Sequence, residues 1–236
     1  MIYMVCKCVK SFKISGGGEI KEWNESNSDL SSPNFVATAY KSKAWAFVSD
    51  YIRLKALYDY GGVYLDTDVE IRKTFTDRFW NADLVLGYMY DDAVSTAVIM
   101  AKAHHPFIKF LLDKYETLIL DTTSPNNGLM TQALLEFYPN FRLNGKYSHL
   151  EDNGFIFPKN YFEEPVMFGK GGYSVHHFMG SWHASSNSLK TRLRPLVKWC
   201  LFHCRLANYA YQKINRRLFL KNASHYKRYL EDVKNS

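Results

Sequence analysis

Residues 61 to 70 read Gly-Gly-Val-Tyr-Leu-Asp-Thr-Asp-Val-Glu. Asp66 and Asp68 are two carboxylates at spacing two, placed where a short run of β-formers, Val63 to Leu65, comes to an end. Paired carboxylates at the end of a buried strand are costly unless a positive charge lies between them. A divalent cation with oxygen ligands meets that need, and Mg²⁺ or Mn²⁺ commonly carries substrate phosphates as well. In open α/β sheets ligands sit beyond the carboxyl ends of strands. The chemistry expected here is therefore a metal–diphosphate site. A second local reading is open: a metal-dependent phosphotransferase or hydrolase also places an Asp-x-Asp directly after an apolar strand.

The elements that must hold these carboxylates are legible on either side. Ala44, Phe47, Tyr51, Leu54 and Leu57 recur at steps of three and four, which predicts an amphipathic helix over residues 44–60. Gly61-Gly62 suits its end, since glycine adopts the left-handed C-cap conformation at little cost. Asp50 and Arg53 lie three apart and share a face of that helix. An ordinary intrahelical ion pair is the simplest reading of those two.

Elsewhere, strands are expected at Glu19–Trp23, Asp83–Tyr88, Thr96–Ala101, Gly154–Phe157 and Tyr173–His176. Helices are expected over Met1–Lys13, Phe35–Tyr40, His105–Leu120 and Asn126–Phe137, and from Leu189 onward. Alternating strands and helices imply an α/β fold with a mainly parallel sheet and helices on both faces. Asp91-Asp92 is read as a solvated loop. His176 and His177 are adjacent on an expected strand, so they face opposite ways and only one can join Asp66 and Asp68.

Three stretches together are similar to the family 32 glycosyltransferases, the sugar transferases of the capsular-polysaccharide and initiating-mannosyltransferase type. The first is Ser49-Asp50-Tyr51-x-Arg53-Leu54 followed by Leu57-Tyr58-x-Tyr60-Gly61-Gly62-Val63-Tyr64-Leu65-Asp66-Thr67-Asp68. The second is Glu19-Ile20-Lys21-Glu22-Trp23-Asn24-Glu25, which resembles the family's second strand and following loop. The third is His176-His177-Phe178-Met179-Gly180-Ser181-Trp182, which resembles its closing signature. The resemblance implies a GT-A fold over residues 1–185. It implies Asp66, Asp68 and His177 as metal ligands for Mn²⁺ or Mg²⁺, His177 being preferred for its His-x-x-Gly spacing. It assigns Asp50, Arg53, Tyr64, Asp66, Ser181 and Trp182 to the donor, with Asp50, Arg53 and Asp66 catalytic. The implied reaction moves a hexose from a nucleotide-diphosphate sugar, a UDP-sugar favoured, to a glycan or lipid-linked saccharide acceptor, with retention. The family's usual first strand, which packs beside the nucleotide base, has no counterpart here, and Met1–Phe12 resembles the helix that follows it. That departure keeps a further reading open, a non-catalytic sugar-nucleotide-binding relative.

Composition divides the chain of 236 residues. Twelve of the 30 Lys and Arg, but only Glu231 and Asp232 of the 23 acids, fall in residues 186–236. A near-neutral domain followed by a basic helical tail is expected. Apolar residues such as Leu193, Trp199, Leu206 and Leu218 run among the cations of residues 189–230, a pattern suited to an anionic membrane surface or to helices that simply cover the catalytic domain. No nucleic-acid recognition motif accompanies the charge. There is no apolar run of transmembrane length and no secretory leader pattern. The expected location is cytoplasmic, peripheral at the inner face of the membrane. Cys6, Cys8, Cys200 and Cys204 lack zinc-knuckle spacing and read as reduced thiols.

Overall fold

In the computed structural model, residues 11–12, 18–118, 126–164, 171–177 and 205–235 are described. Two helices, α1 (Asn34–Lys41) and α2 (Trp45–Tyr60), lead into strand β1 (Gly62–Leu65). The chain then runs through β2 (Val69–Ile71), the short α3 (Asp77–Trp80), β3 (Leu84–Tyr90), β4 (Ala93–Val94) and β5 (Val98–Ala101). Helices α4 (Pro106–Thr117) and α5 (Asn126–Phe137) follow, then β6 (Ser148–His149), β7 (Gly154–Phe157) and β8 (Ser174–His176). Helices α6 (Arg205–Asn222) and α7 (Ser224–Asn235) close the described chain.

The main sheet has the order β1-β5-β3-β7-β6, with β4 pairing β3. Among the described residues only β3 and β7 pair in parallel, and the other pairings are antiparallel. The sheet is thus mixed where a mainly parallel one was expected. The cause is connection length: β3, β4 and β5 are joined by two or three residues, far too few for the crossover that parallel neighbours need. β2 leaves the main sheet and pairs with β8 in a separate two-stranded ribbon.

Strand alternation sorts the core into two faces. Leu84, Leu86, Tyr88 and Ile99 pack against α1, α2, α4 and α5 through residues such as Val36, Leu54, Leu111 and Leu134. Val85, Val98, Met100 and Phe157 pack on the opposite side against Val69, Ile71, Phe75, Phe79 and Phe162. The long helices therefore cover one face, and the β2–β8 ribbon with α3 covers the other. This narrows the expectation of helices on both faces. Gly87 lets the ribbon side approach, since a Cβ there would stand 2.6 Å from the Phe162 ring.

Glu19–Trp23, expected as a strand, forms no ladder among the described residues. Instead Lys21 Nζ lies over the Trp23 ring at 4.5 Å and the Tyr60 ring at 3.8 Å. Only Ser11 and Phe12 of the expected N-terminal helix are described, and both are helical.

The described part of the basic segment is docked. Phe219, Ala223, Tyr226 and Leu230 are buried with Tyr90 and Ala93. Gly128 of α5 permits this contact: a Cβ there would meet the Tyr226 side chain at 3.0 Å. Asp92, read as solvated, accepts two hydrogen bonds from Arg216 Nε at 2.9 and 3.0 Å, and Tyr226 Oη donates to its carbonyl. No described helix is long and apolar enough to cross a membrane.

Candidate functional site

The site grows from the α2–β1 corner. Gly61 closes α2 with φ 67°, and its N–H donates to the Leu57 carbonyl at 2.9 Å. A Cβ at Gly61 would lie 2.7 Å from the Ala103 backbone nitrogen, so glycine is required on two counts. The turn feeds β1, whose Leu65 pairs with Val98 of β5. The Asp66 N–H donates to Ala97 O at 2.9 Å, and the Val69 N–H to Asp66 O at 2.9 Å. Those bonds fix a tight turn carrying both carboxylates.

Beneath the turn, α2 buries Asp50 and Arg53 beside Val48, Leu54 and Leu57. The Arg53 guanidinium meets Asp50 Oδ1 at 3.0 Å and Asp66 Oδ1 at 3.2 Å, and donates to Thr96 O at 3.0 Å. It also stacks over the Tyr64 ring at 4.5 Å, while Tyr64 Oη donates to Asp66 Oδ1 at 2.7 Å. Arg53 is thus a buried bridge that neutralises two carboxylates, more than the isolated surface pair read from its spacing. Its nitrogens are spent inward, on protein oxygens. Burial pushes the Asp50 carboxyl up to about 6 even though Arg53 pulls it down, with Asp66 adding to the rise.

The third member comes from β8. Asp66, Asp68 and His176 each offer a ligand atom, all within 4.8 Å of one another. Ligands on one octahedral Mg²⁺ or Mn²⁺ lie roughly 3–4.2 Å apart, given bonds of about 2.1 Å. Modest side-chain closure would bring the three to that spacing. Two carboxylates and an imidazole are a donor set suited to such a cation.

His176 stands where His177 was expected. Strand alternation alone would set His177 beside Asp68, since the β2–β8 pairing continues to those two residues; it is the turn before β2 that brings the Asp68 carboxylate to His176. His176 pairs with Val69, directly after Asp68, and its Nε2 lies 3.3 Å from Asp68 Oδ1. His177 follows on the alternate face and reaches diagonally to Glu70, with Nε2 at 2.9 Å from Glu70 Oε2. The same oxygen receives Arg72 Nη2 at 3.0 Å. The His177 backbone N–H donates to Asp68 O at 3.0 Å, so it helps fix the turn through its main chain.

Behind His176 stands Glu163, which the sequence reading missed. Its carboxylate, 1% exposed, holds His176 Nδ1 at 2.8 Å through Oε2 and accepts a bond from Ser95 Oγ through Oε1. Ser95 Oγ in turn accepts from the Ala97 N–H at 3.1 Å. Burial disfavours the imidazolium, yet Glu163 and Asp68 on either side outweigh it and lift His176 to about 10. The nitrogen that faces Asp68 is Nε2; Nδ1 is engaged by Glu163. A carboxylate behind a histidine, with the far nitrogen aimed at two more carboxylates, is the arrangement that orients metal-binding imidazoles. The only sequence trace of Glu163 is a carboxylate following the aromatic pair Tyr161-Phe162, which is too common to read.

Asp50, Arg53, Tyr64, Asp66 and Asp68 are thus brought together as expected. Ser181 and Trp182 lie outside the described residues. Asn126, which opens α5, is turned to this cluster: it hydrogen-bonds Asp50, and its Oδ1 accepts from Tyr115 Oη at 2.6 Å.

Residues 4–86 match the family described as the glycosyltransferase sugar-binding region containing the DXD motif, so Asp66-Thr67-Asp68 falls inside the match. An uncharacterized protein of Arabidopsis thaliana is 30% identical over 132 residues, covering 50% of this chain and 20% of the relative. The chain spans about a fifth of that relative's length. Among solved structures, the PaToxG glycosyltransferase is similar, at 24% identity and a TM-score of 0.37, over 49% of this chain and 45% of that one.

Proposed function

We propose that this chain is a metal-dependent glycosyltransferase. It moves a hexose from a nucleotide-diphosphate sugar, a UDP-sugar favoured, to a glycan or lipid-linked saccharide acceptor, with retention at the anomeric carbon. The setting is polysaccharide or capsule biosynthesis. The observation that carries this reading is the convergence of His176 on Asp66 and Asp68 at the β1 end, the two carboxylates lying inside a segment that matches a DXD sugar-binding region. A phosphotransferase reading of the bare Asp-x-Asp accounts for neither the family match nor the imidazole.

Asp66, Asp68 and His176 would hold Mn²⁺ or Mg²⁺. Once bound, the cation supplies Lewis-acid neutralisation of the departing diphosphate. The protein's own groups set up the rest. Arg53 and Tyr64 pin Asp66 from below, so its carboxylate keeps one orientation. Glu163 fixes the His176 ring. Asp50, held by Arg53 and Asn126, is assigned to the donor sugar hydroxyls. Ser181 and Trp182 are assigned to the donor by their motif. No carboxylate in the cluster is set apart as a nucleophile. The acceptor oxygen then bonds to the anomeric carbon on the face the diphosphate leaves, and its proton passes to a leaving phosphate oxygen.

A panel of nucleotide sugars with Mn²⁺, read as nucleoside diphosphate released, tests this. Release from one sugar donor, lost with EDTA and in Asp68→Ala, supports it. Binding of Mn²⁺ and nucleotide with no turnover on any donor would instead favour a non-catalytic binding protein.

The exposed face of α6 supports peripheral membrane docking as part of this proposal. Tyr209, Ile214 and Leu218 are 53–69% exposed there, interleaved with the exposed Lys213, Arg217 and Lys221. Each cation near an anionic leaflet contributes roughly 1 kcal/mol. Phosphatidylserine vesicles should sediment the wild-type chain at low salt and leave a Lys213→Glu, Arg217→Glu, Lys221→Glu variant in solution. Equal behaviour of the two would remove the membrane docking and leave the transferase reading untouched.

A further inference from the structure

A second cavity lies at the far end of the β2–β8 ribbon from the metal triad. Asp68 precedes β2 and His176 ends β8, whereas Lys73 follows β2 and Tyr173 precedes β8. A three-residue strand spans about 10 Å, so the two ends are separate places on one support. The cavity is about 400 Å³, within the range of small-ligand pockets. Lys73, Thr76, Arg78, Phe157, Tyr161 and Tyr173 form most of its wall.

Its charge is one-sided. Among the described residues, two cations and no carboxylate line it. Arg78 is held in an unusual way for a surface arginine. Its guanidinium lies 4.5 Å from the Tyr147 ring centre, 5.2 Å from Phe157 and 5.7 Å from Phe155. Among the described residues it makes no hydrogen bond or ion pair. The aromatic faces therefore restrain the plane while its N–H edge is left for a ligand, and that fork matches a carboxylate or phosphate. Lys73 is also tethered, donating to Gly171 O at 2.7 Å, and its remaining N–H donors are available. In the same wall, Tyr161 and Tyr173 stack with centres 5.9 Å apart and planes 19° from parallel, and Lys73 Nζ lies 5.9 Å from the Tyr173 ring centre. Both rings are half-buried and line the cavity.

We propose that this cavity binds a sugar unit bearing an oxyanion, with the phosphate or carboxylate on the Arg78 fork and Lys73, and the ring's C–H face on Tyr161 and Tyr173. The site is independent of the metal triad and does not rest on the transferase reading.

Heteronuclear NMR titration of the full chain with glucose 1-phosphate, glucuronate, glucose and inorganic phosphate tests it. Binding of glucose 1-phosphate or glucuronate, with shifts at Tyr161 and Tyr173, is expected; whichever binds tighter identifies the anion. Neutral glucose and bare phosphate should each bind at least tenfold more weakly. Arg78→Gln, which keeps the stem, should weaken the charged sugar tenfold or more, and Arg78→Lys should restore only part of that. Asp68→Asn should leave it unchanged. Absence of wild-type binding at millimolar ligand would overturn the proposal. So would indifference to Arg78→Gln, loss in Asp68→Asn, or tighter binding of uridine monophosphate than of either charged sugar.

Discussion

Replacing Glu163 with glutamine isolates one link of the site. Glutamine keeps the volume and can still accept a bond from His176 Nδ1 through its amide oxygen. Only the charge is lost, and with it the ability to take two donors on two equivalent oxygens. Glu163 is 1% exposed and lies 2.8 Å from the ring nitrogen, so solvent screens little of its field. A carboxylate about 4 Å from a full positive charge is worth roughly 4 kcal/mol at an effective dielectric near 20. A metal-bound imidazole carries only part of a charge, and the amide dipole recovers some of the rest. Orienting carboxylates behind metal-binding histidines typically contribute about 10–100-fold in affinity. The Mn²⁺ dissociation constant of Glu163→Gln should therefore rise about 10–100-fold, read from the free-Mn²⁺ electron paramagnetic resonance signal. His176→Ala should do at least as much, and His177→Ala less than either. Thermal melts of the apo variants control for folding. Wild-type affinity in Glu163→Gln, or a larger loss in His177→Ala than in His176→Ala, would refute the assignment of His176 and its support.

Asp68→Ala should lower metal-dependent donor turnover by about 10²–10³-fold, in line with losing stabilisation of charge on a leaving group; steady-state rates at saturating Mn²⁺, with circular dichroism for the fold, check it. Gly61→Ala should destabilise the protein by about 2 kcal/mol or more, because the left-handed φ and a Cβ 2.7 Å from the Ala103 backbone add up; urea unfolding midpoints measure it. His105 caps α4, its Nδ1 accepting the Phe107 N–H at 3.2 Å, and burial depresses its imidazole below 6.5 against the pull of Asp152 and Asp83. The unfolded chain takes up that proton first, so this contribution is present above pH 6.5 and is lost as the pH falls toward the folded value. His105→Asn keeps a capping acceptor and should flatten the fall in urea midpoint between pH 7.5 and 5.5; an unchanged slope would place the acid sensitivity elsewhere.

Local signals in the chain were strong where one element dictates its neighbour. Helix α2, the glycine stop at Gly61, strand β1 and the carboxylate turn all follow from spacing and turn chemistry, and they appear as read. Helix α5 and strand β7 match their expected bounds. What failed depends on pairing. The mixed sheet is set by which strands meet, and alternation of strand and helix cannot report that. The choice between His176 and His177 turns on how the Asp66–Val69 turn aims the Asp68 side chain across to β8, more than 100 residues away in sequence, and spacing along one strand cannot report that. Spacing alone read Arg53 as a plain ion pair because its other partners, Asp66 and Thr96 O, arrive from β1 and from the segment before β5. Glu163 and Ser95 were invisible for the same reason. The basic tail left membrane docking and cover of the catalytic domain both open, because helical spacing alone does not divide its docked face, Phe219 and Tyr226, from the exposed one, Ile214 and Leu218.

The proposed transferase chemistry requires a cation held by Asp66, Asp68 and His176. Electron spin echo modulation of bound Mn²⁺ reads a coordinated imidazole nitrogen directly. The modulation should be present in the wild-type protein and in His177→Ala, and absent in His176→Ala at Mn²⁺ levels that restore occupancy. Modulation that persists in His176→Ala, or that disappears in His177→Ala, would contradict it.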